Sequence, residues 1–343
     1  MNVYWNEMEL AHDPAFFLQR GNLRQHFEVP GRALALLEGA KAMGLTITSP
    51  PPVDPSELET VHAPDFLAFL EHASTDWRAM PDSAPEAVPN IHPTPEMLAN
   101  GAKPSATIVG RLGWYTADLA CPIGPSTWQA ALAAATGAIA AADDAAAGRH
   151  AYALARPPGH HAYRARTGGH CYLNNAALAA ERLRAHGADR VAILDIDSHH
   201  GNGTQGIFWE RDDVFFASIH GDPNGYYPWY VGHADETGAG AGQGCTLNQP
   251  LAQGTGDGPW LAALDNALES AQRFGADAVV VSLGFDASEH EPLSFLKITA
   301  DGFARAGQAI SRARRPTAIV QEGGYAVDHL GTLLQRFLDG FGA

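Results

Sequence analysis

The chain has 343 residues, 45% of them hydrophobic, which is long enough to bury a sizeable core. Its 38 Asp and Glu outnumber its 22 Lys and Arg, and the resulting formal net charge of -16 at pH 7 argues against binding nucleic acid. A field of this sign also attracts cations, including a cationic substrate, although acidic charge is chiefly a solubility feature.

We expect neither an export signal nor a membrane partner. Residues 1–10 (MNVYWNEMEL) lack a basic segment followed by an apolar one. The most apolar segment, 130–142, is mainly alanine and ends at two aspartates, which a membrane span would not tolerate cheaply. It predicts a buried helix opened by a capping box of Ser126 and Gln129. Three scattered cysteines fit no disulfide framework or zinc knuckle, so we expect a cytoplasmic protein.

Strand-like apolar runs alternate with helical patterns along the chain. The strands are predicted at 2–5, 45–49, 150–155, 190–196, 214–219, 277–283 and 316–320. The helices are predicted near 31–43, 64–74, 126–147, 172–186, 257–274, 299–313 and 327–340. This alternation predicts a single α/β domain over 1–343, in which helices flank both faces of a central parallel β-sheet.

Two long segments interrupt this pattern. Segment 78–104 is rich in proline and has no clear period, so it is either a functional loop or an interface arm. Trp77, Ile91 and Met97 have no obvious intrachain helix to join, which favours self-association. Segment 220–245 holds four aromatic residues among glycines, which fits a pocket wall and core packing about equally well.

The strand predicted at 190–196 ends in a pattern suited to a metal. Asp197 and His199 lie two residues apart, so on an extended backbone they face the same way. A carboxylate and an imidazole are ligands that zinc accepts. Three other strands end in reactive residues: His160 and His161, Asp286, and Tyr325. Because ligands bind beyond the carboxyl ends of strands in open α/β sheets, these ends predict one catalytic cleft.

The residue types in this cleft fit metal-assisted hydrolysis. Asp197, His199 and Asp286 leave a fourth position open, as catalytic zinc sites do. The tandem histidines can supply a base for a water and an acid for a leaving amine, although one of them could simply be hydrogen-bonded in a turn. Tyr325 follows two glycines and can donate its hydroxyl to an oxyanion, but this motif is weak by itself.

Four ordered motifs together carry a family resemblance: RPPGHHA, DIDSHHGNGTQ, LGFD and EGGY. They resemble the zinc-dependent deacetylases of the arginase–deacetylase fold, which include the histone deacetylases, and most closely the bacterial acetylpolyamine amidohydrolase branch. The resemblance covers most of the chain, from the helix near Arg32 to the last helix.

The resemblance implies a role for each motif residue. Asp197, His199 and Asp286 would bind one catalytic zinc ion, with His161 as general base and His160 as its electrostatic partner. Tyr325 would polarise the substrate carbonyl, while Asp195 and Asn202 would orient His160 and His161. A structural potassium ion would lie among Asp195, Ser218 and Ile219 and the backbone of Asp197 and His199. His200 is expected to be structural.

The same resemblance makes the substrate open to question. Ala120 and Val109 stand where polyamine-cleaving relatives carry acidic residues, and Asp118 would need a different register to replace them. The pocket walls would be Gly169 with His170 and, opposite, Tyr227. A small neutral or aromatic amide is therefore a credible substrate beside an acetylated polyamine or acetyl-lysine.

Two further expectations concern packing and assembly. Ser198 replaces a larger residue and is expected to loosen the packing around the metal motif. The resemblance also implies that segment 78–104 crosses to a neighbouring subunit, giving a homodimer.

Two other functions compete with the amidohydrolase. A binuclear manganese ureohydrolase needs about six ligands, and the stretch from Asp286 to Glu289 lacks the second aspartate that such enzymes place two residues on. A non-enzymatic module that only binds acyl amines would be expected to have lost Tyr325 or His161, and both are present.

Overall fold

A computed structural model describes residues 1–19, 21–292 and 295–343. Its strands are β1 (Asn2–Tyr4), β2 (Phe17–Gln19), β3 (Asn22–Arg24), β4 (Thr46–Thr48), β5 (Ala151–Ala153), β6 (Val191–Asp195), β7 (Val214–Gly221), β8 (Thr246–Leu251), β9 (Ala278–Leu283) and β10 (Thr317–Gln321). Eight of them form one sheet in the order β4-β1-β5-β10-β9-β6-β7-β8, and every neighbouring pair is parallel. Strands β2 and β3 form a separate antiparallel hairpin.

The helices flank this sheet. They are α1 (Pro30–Ala42), α2 (Pro64–Arg78), α3 (Pro95–Ala99), α4 (Ile108–Tyr115), α5 (Thr127–Ala146), α6 (Asn175–Ala185), α7 (Asn202–Phe208), α8 (Asp257–Phe274), α9 (Ala300–Arg312) and α10 (Val327–Phe341). Short 3-10 helices occupy Glu7–Ala11, Pro55–Thr60 and Gly240–Gly242. None of the helices in the described residues is long and apolar enough to cross a membrane.

The sheet has a hydrophobic core on each face. One core packs against α2, α4, α5 and α6, and the other packs against α1, α8, α9 and α10. Strand β6 shows why: Val191 and Ile193 enter the first core, whereas Ala192 and Leu194 enter the second. Alternate residues of a strand point to opposite faces, so a strand covered on both sides must be apolar throughout. The predicted α/β fold is confirmed.

The structure also contains elements that the sequence pattern did not predict. Strand β8 has the sequence TLNQPL, in which Asn248, Gln249 and Pro250 interrupt the apolar pattern. It lies at the edge of the sheet, where a strand tolerates polar residues and proline. The hairpin and helices α3, α4 and α7 were also missed, because all of these elements are short.

The predicted capping box at the start of α5 is wrong. Ser126 makes no side-chain capping hydrogen bond, and its backbone, with φ -105° and ψ 3°, is not in the extended conformation usual for a capping residue. The hydroxyl of Thr127 instead accepts a hydrogen bond from the backbone N–H of Gly124 at 2.8 Å. The helix itself forms as predicted and is largely buried.

Segment 78–104 is anchored to the domain more firmly than expected. Trp77 is the penultimate residue of α2, is buried in the core, and donates its indole N–H to the carbonyl of Ala84 at 2.8 Å. The expectation that Trp77 has no intrachain helix to join is therefore wrong, because it lies in α2 itself. By contrast, Ile91 and Met97 are 58% and 45% exposed. These two side chains are available at the surface of the chain.

Candidate metal centre and active site

The four strand ends that carry reactive residues are neighbours in the sheet. Strands β5, β10, β9 and β6 are adjacent and parallel, so their carboxyl ends meet at one edge. The residues following these strands are His160 and His161, Tyr325, Asp286, and Asp197 with His199. The topology thus explains why residues as far apart as 160 and 325 in the sequence share one site.

Asp197, His199 and Asp286 face one another at this edge. The Nδ1 atom of His199 lies 3.0 Å from Oδ2 of Asp286 and 3.2 Å from Oδ1 of Asp197. One ligand atom from each residue lies within 4.8 Å of the other two. Backbone N–H groups fix both carboxylates: Ser198 donates to Asp286 and Gly323 donates to Asp197, each at 2.8 Å.

The donor set fits a divalent cation. Both aspartates are almost fully buried, and burial together with the Asp197 charge raises the pKa of Asp286. Burial alone would lower the pKa of His199, but Asp286 and Asp197 raise it to about 9. Two buried carboxylates directed at one imidazole need a positive charge between them, and an O, N, O set is what zinc accepts. The three residues predicted as metal ligands therefore fit the ion.

The tandem histidines have different partners. His160 donates from Nδ1 to Asp195 at 2.9 Å, whereas His161 donates from Nδ1 to the amide oxygen of Asn202 at 2.5 Å. The Asn202 amide nitrogen in turn donates to the hydroxyl of Tyr163 at 2.8 Å, which fixes its orientation. The structure thus brings together both partner pairs expected from the motifs.

The partners push the two imidazoles toward opposite charge states. Burial alone would lower the pKa of His160, but Asp195 and Asp197 raise it well above its usual range. Burial lowers the pKa of His161 well below its usual range, and the neighbouring His160 and His199 lower it further. Because the pKa values of the two histidines are shifted in opposite directions, His160 suits a charged role and His161 a neutral one.

A glycine turn leads into Tyr325 at the same edge of the sheet. A Cβ atom on Gly323 would lie only 2.2 Å from Oδ2 of Asp286, so a side chain cannot be accommodated there. Arg32 donates to the carbonyls of Gly324 and Glu322, and its guanidinium lies 4.8 Å from the centre of the Tyr325 ring. The tyrosine is therefore held by its backbone turn and by a buried cation.

Two glutamates that sequence reasoning missed also fix the backbone of the site, Glu291 at the Tyr325 turn and Glu322 at the tandem histidines. Glu291 accepts hydrogen bonds from the backbone N–H groups of Tyr325 and Ala326. Glu322 accepts from the backbone N–H of His160 at 3.0 Å and from the Ser282 hydroxyl at 3.0 Å. The adjacency of Glu322 to the glycine turn was a usable signal, whereas Glu291 lies in a loop with no motif of its own.

The residues predicted for the substrate pocket lie beside the candidate site. The ring of Tyr227 lies 4.9 Å from that of His161, and the ring of His170 lies 6.0 Å from that of Tyr325. His170 donates from Nδ1 to the carbonyl of Ala120 at 2.9 Å. Val109, in α4, packs against the core that includes α2 and α5.

Asp118 contacts both walls. Its carboxylate accepts hydrogen bonds from the Tyr227 hydroxyl at 2.5 Å and from the backbone N–H of Gly169 at 2.9 Å. Asp118, whose register in the sequence argued against a role in the pocket, is thus bonded to two predicted pocket residues.

Ser198 does not loosen the metal motif as expected. Tyr226 stacks on the imidazole of His199 with a centroid distance of 4.4 Å, and its hydroxyl lies 3.0 Å from that of Ser198. The neighbouring aromatic residue fills the space that the small side chain leaves. Within segment 220–245, Tyr226 and Tyr227 therefore line the site, whereas Trp229 and Tyr230 are exposed.

The residues predicted to surround potassium are buried near the same edge. Asp195 of β6 is paired in register with Ser218 of β7, and Ile219 follows it. All three are essentially inaccessible to solvent. His200 is held by Gln205 at 3.0 Å and Asn248 at 3.1 Å, in keeping with the structural position expected for it.

Comparison with known proteins gives a consistent picture. Residues 26–341 match the family model described as histone deacetylase domain. The chain is 43% identical to an acetylpolyamine amidohydrolase of Burkholderia pseudomallei, over 100% of this chain and 99% of the relative. It is 42% identical to acetylpolyamine amidohydrolase 1 of Pseudomonas aeruginosa, over 99% and 98%.

A solved structure extends this similarity to three dimensions. A crystal structure of an acetylpolyamine aminohydrolase from Burkholderia pseudomallei superposes with a TM-score of 0.95 at 43% identity. The match covers 100% of this chain and 99% of that one. The architecture described above is therefore shared over the whole length.

Proposed function

The chain belongs to the histone deacetylase family, and we propose that it is a zinc-dependent amidohydrolase that removes the acyl group from a small N-acylated amine. One observation carries the proposal: the three predicted metal ligands lie at the same edge of the sheet as two histidines, each of which is hydrogen-bonded to its own partner. His160 is bonded to Asp195 and His161 to Asn202. The Nε2 atom of His160 lies 3.8 Å from Oδ1 of Asp197, and the ring of His161 lies 5.9 Å from that of His199.

Asp197, His199 and Asp286 would hold one zinc ion per chain. When bound, such an ion polarises the amide carbonyl and lowers the pKa of a water molecule to about 7. The buried Asp195, Ser218 and Ile219, with the backbone of Asp197 and His199, are our proposed potassium site. Their support is their burial and the register that places the side chains of two strands together.

The chain's own groups would move the protons. Because Nδ1 of His161 donates to Asn202, the neutral ring keeps its Nε2 lone pair for a proton from the attacking water. His161 then returns this proton to the departing amine, so water adds hydroxide to the acyl carbon and hydrogen to nitrogen. His160 remains charged beside Asp195, and Tyr325 donates its hydroxyl to the developing oxyanion.

We propose that the substrate is a small acylated amine that enters between Tyr227 and His170. The relatives are named acetylpolyamine amidohydrolases, which supports an acetylated amine. Ala120 and Val109 offer no charge for a distant ammonium, so we expect neutral amides to be preferred over polyamines. Acetyl-lysine is the remaining alternative.

The function can be tested with a matched pair of acetamides. N-acetylputrescine and N-pentylacetamide have equal length and differ in one terminal charge, and acetate release reports turnover of both. We expect turnover with zinc, loss on metal removal, and recovery on adding zinc back. Full activity of metal-depleted protein would contradict the mechanism. Two manganese ions per chain, with urea released from a guanidino compound such as agmatine and no acetate released from the acetamides, would indicate a ureohydrolase.

We also propose a homodimer formed through segment 78–104. The support is the exposure of Ile91 and Met97 on a segment that is otherwise anchored. Light scattering of Ile91→Asp/Met97→Asp should then give the monomer mass. Leu34→Asp on α1, where the side chain is 46% exposed, is the matched control. An unchanged mass in the double variant would show that this segment is not the interface.

For the cellular location we propose the cytoplasm, in keeping with three unpaired cysteines.

A further inference from the structure

One short segment, 117–121, is bonded to both walls above the active site. The Asp118 carboxylate holds Tyr227 on one side and the backbone of Gly169 on the other through the same oxygen, Oδ2. Its other oxygen accepts the backbone N–H of Ala120 at 2.8 Å. Tyr227 and Gly169 are 58 residues apart in the sequence, so this carboxylate links two loops that are distant along the chain.

A second bond from the same segment holds His170. The carbonyl of Ala120 accepts from Nδ1 of His170 at 2.9 Å. His170 has a φ of 69°, in the left-handed region that residues other than glycine rarely adopt. Burial lowers the pKa of His170 to about 4, so the ring is neutral, and the contact with the Ala120 carbonyl places its one proton on Nδ1. The hydrogen bond therefore supports a costly backbone conformation.

The two walls are close enough for a shift in one to reach the other. A Cβ atom built on Gly169 would lie 2.3 Å from His161 and 2.9 Å from the Tyr227 hydroxyl. Gly169 thus lies between His161, the proposed base, and Tyr227, with no space for a side chain. Burial raises the pKa of Tyr227 well above its usual range, and Asp118 raises it further, so the hydroxyl stays protonated and donates.

We propose that segment 117–121 acts as a clamp that sets the width of the substrate channel. Tyr227 would be a specificity-determining residue that contacts substrate, and Asp118 a positioning residue that acts through Tyr227 and Gly169. This inference rests on the function proposed above. The clamp gives Asp118 and Tyr227 a role in selecting substrates by shape, which the sequence motifs do not assign.

The alternative is that Asp118 binds the ammonium of a cationic substrate. The geometry favours the clamp, because three donors from the protein already occupy most of the roughly four acceptor positions of one carboxylate. An ammonium would have to compete with these short bonds. The two roles differ in one respect: only the ammonium site distinguishes charged from neutral substrates.

The test compares Tyr227→Phe and Asp118→Asn with wild type on the acetamides of n-butylamine and sec-butylamine. These have the same composition but differ by a branch beside the amide nitrogen. We expect each variant to lower kcat/KM for the straight substrate by about threefold to tenfold, mainly through KM, as loss of one hydrogen bond implies. The preference for the straight substrate should shrink at least threefold by the same estimate. Combining the two changes should add little, because they share one bond.

The controls lie on the same loop as Tyr227. Tyr230→Phe and Asp235→Asn alter exposed residues and should leave the preference unchanged. An unchanged preference in both test variants would overturn the clamp. So would a loss in Asp118→Asn that is confined to N-acetylputrescine while N-pentylacetamide is unaffected, since that outcome marks an ammonium site.

Hydrogen exchange separates failure of the clamp from failure of the proposed function. In Asp118→Asn we expect faster backbone exchange in both 166–171 and 225–230, whatever the enzyme hydrolyses. A zinc-loaded wild type that releases acetate from none of the acetamides would contradict the function, yet these exchange rates would still decide the clamp. Unchanged exchange in either wall overturns it.

Discussion

The floor and the rim of the cleft are built in different ways. The floor consists of residues at strand ends: the ligand triad, the two histidines and the turn before Tyr325. Its side chains are mostly buried, and the two aspartates are fixed by backbone N–H groups. The rim consists of loops 117–121, 168–170 and 225–230, where Trp229 and Tyr230 are 54% and 87% exposed.

This difference separates chemistry from substrate choice. A strand end cannot move without disturbing the parallel sheet, so the floor keeps its geometry when the loops change. The rim depends on individual side-chain bonds such as that from Tyr227 to Asp118. Substitutions in the floor should therefore abolish turnover of every substrate, whereas substitutions of the bonded rim side chains, Tyr227 and Asp118, should change which substrate is preferred.

The largest effect is expected at the floor, from Asp286→Ala. This change removes one of three ligands, so bound zinc and activity toward all acetamides should be lost while the protein stays folded. Plasma mass spectrometry measures the bound zinc, circular dichroism measures the fold, and acetate release measures the activity. Asp301→Asn, a surface substitution, is the control. Stoichiometric zinc with full activity would show that Asp286 is not a ligand.

The next largest effect is expected from Tyr325→Phe, which removes one donor to the oxyanion. Such donors are typically worth about 10²–10³ in turnover. Zinc binding should persist, because Tyr325 is not one of the three ligands, and the loss should be similar for straight and branched acetamides. Tyr230→Phe is the matched control. A fall in kcat of less than about tenfold would exclude Tyr325 as the carbonyl polariser.

The floor could be predicted from the sequence because its reactive residues come after the ends of apolar strands. Asp197 and His199 are two residues apart after an apolar run, and parallel strands bring their carboxyl ends to one edge. The same reasoning predicted the sheet, with the exception of β8, whose polar residues and Pro250 hide it. The apolar strand patterns therefore predicted the strand ends after which the floor residues lie.

The rim could not be predicted in the same way. The contact between Asp118 and Gly169 depends on a loop in which Gly169 and His170 both have positive φ, at 51° and 69°. A non-glycine residue in that conformation has no sequence signature. Glu291 was missed for a related reason, because it meets Tyr325 only through the path of an irregular loop.

A third prediction concerns His62, which supports the loop that follows the tandem histidines. His62 lies 3.1 Å from the Tyr163 carbonyl through Nδ1, and its Nε2 accepts the backbone N–H of Asn174 at 2.9 Å. The neutral ring satisfies both bonds, whereas a proton on Nε2 would face another N–H. Burial accordingly lowers the pKa of His62 from 6.5 to about 4.

The sign of the pH effect follows from this shift. A histidine whose folded pKa is lowered contributes stability that is present above pH 6.5 and is lost as the pH falls toward 4. The full contribution is about 3 kcal/mol. Urea unfolding of His62→Gln should therefore depend less steeply on pH in this window than wild type. The exposed His72→Gln is the control, and equal pH dependence in His62→Gln and wild type would contradict the assignment.

The smallest effect is expected at the rim, from Ala120→Glu. If the channel lacks a charge for a second ammonium, desolvating that ammonium is costly, so wild type should favour N-pentylacetamide over N-acetylputrescine. A glutamate at this position, beside His170, should raise the relative kcat/KM for the charged substrate by about tenfold, or about 1.4 kcal/mol. Ala117→Glu, on the exposed side of the same segment, should leave the relative kcat/KM for the charged substrate unchanged.

A wild type that already favours N-acetylputrescine by about tenfold would refute the neutral preference and indicate a carboxylate supplied by Asp118 or by a partner subunit. Asp118→Asn separates these two sources, because only the first is sensitive to it.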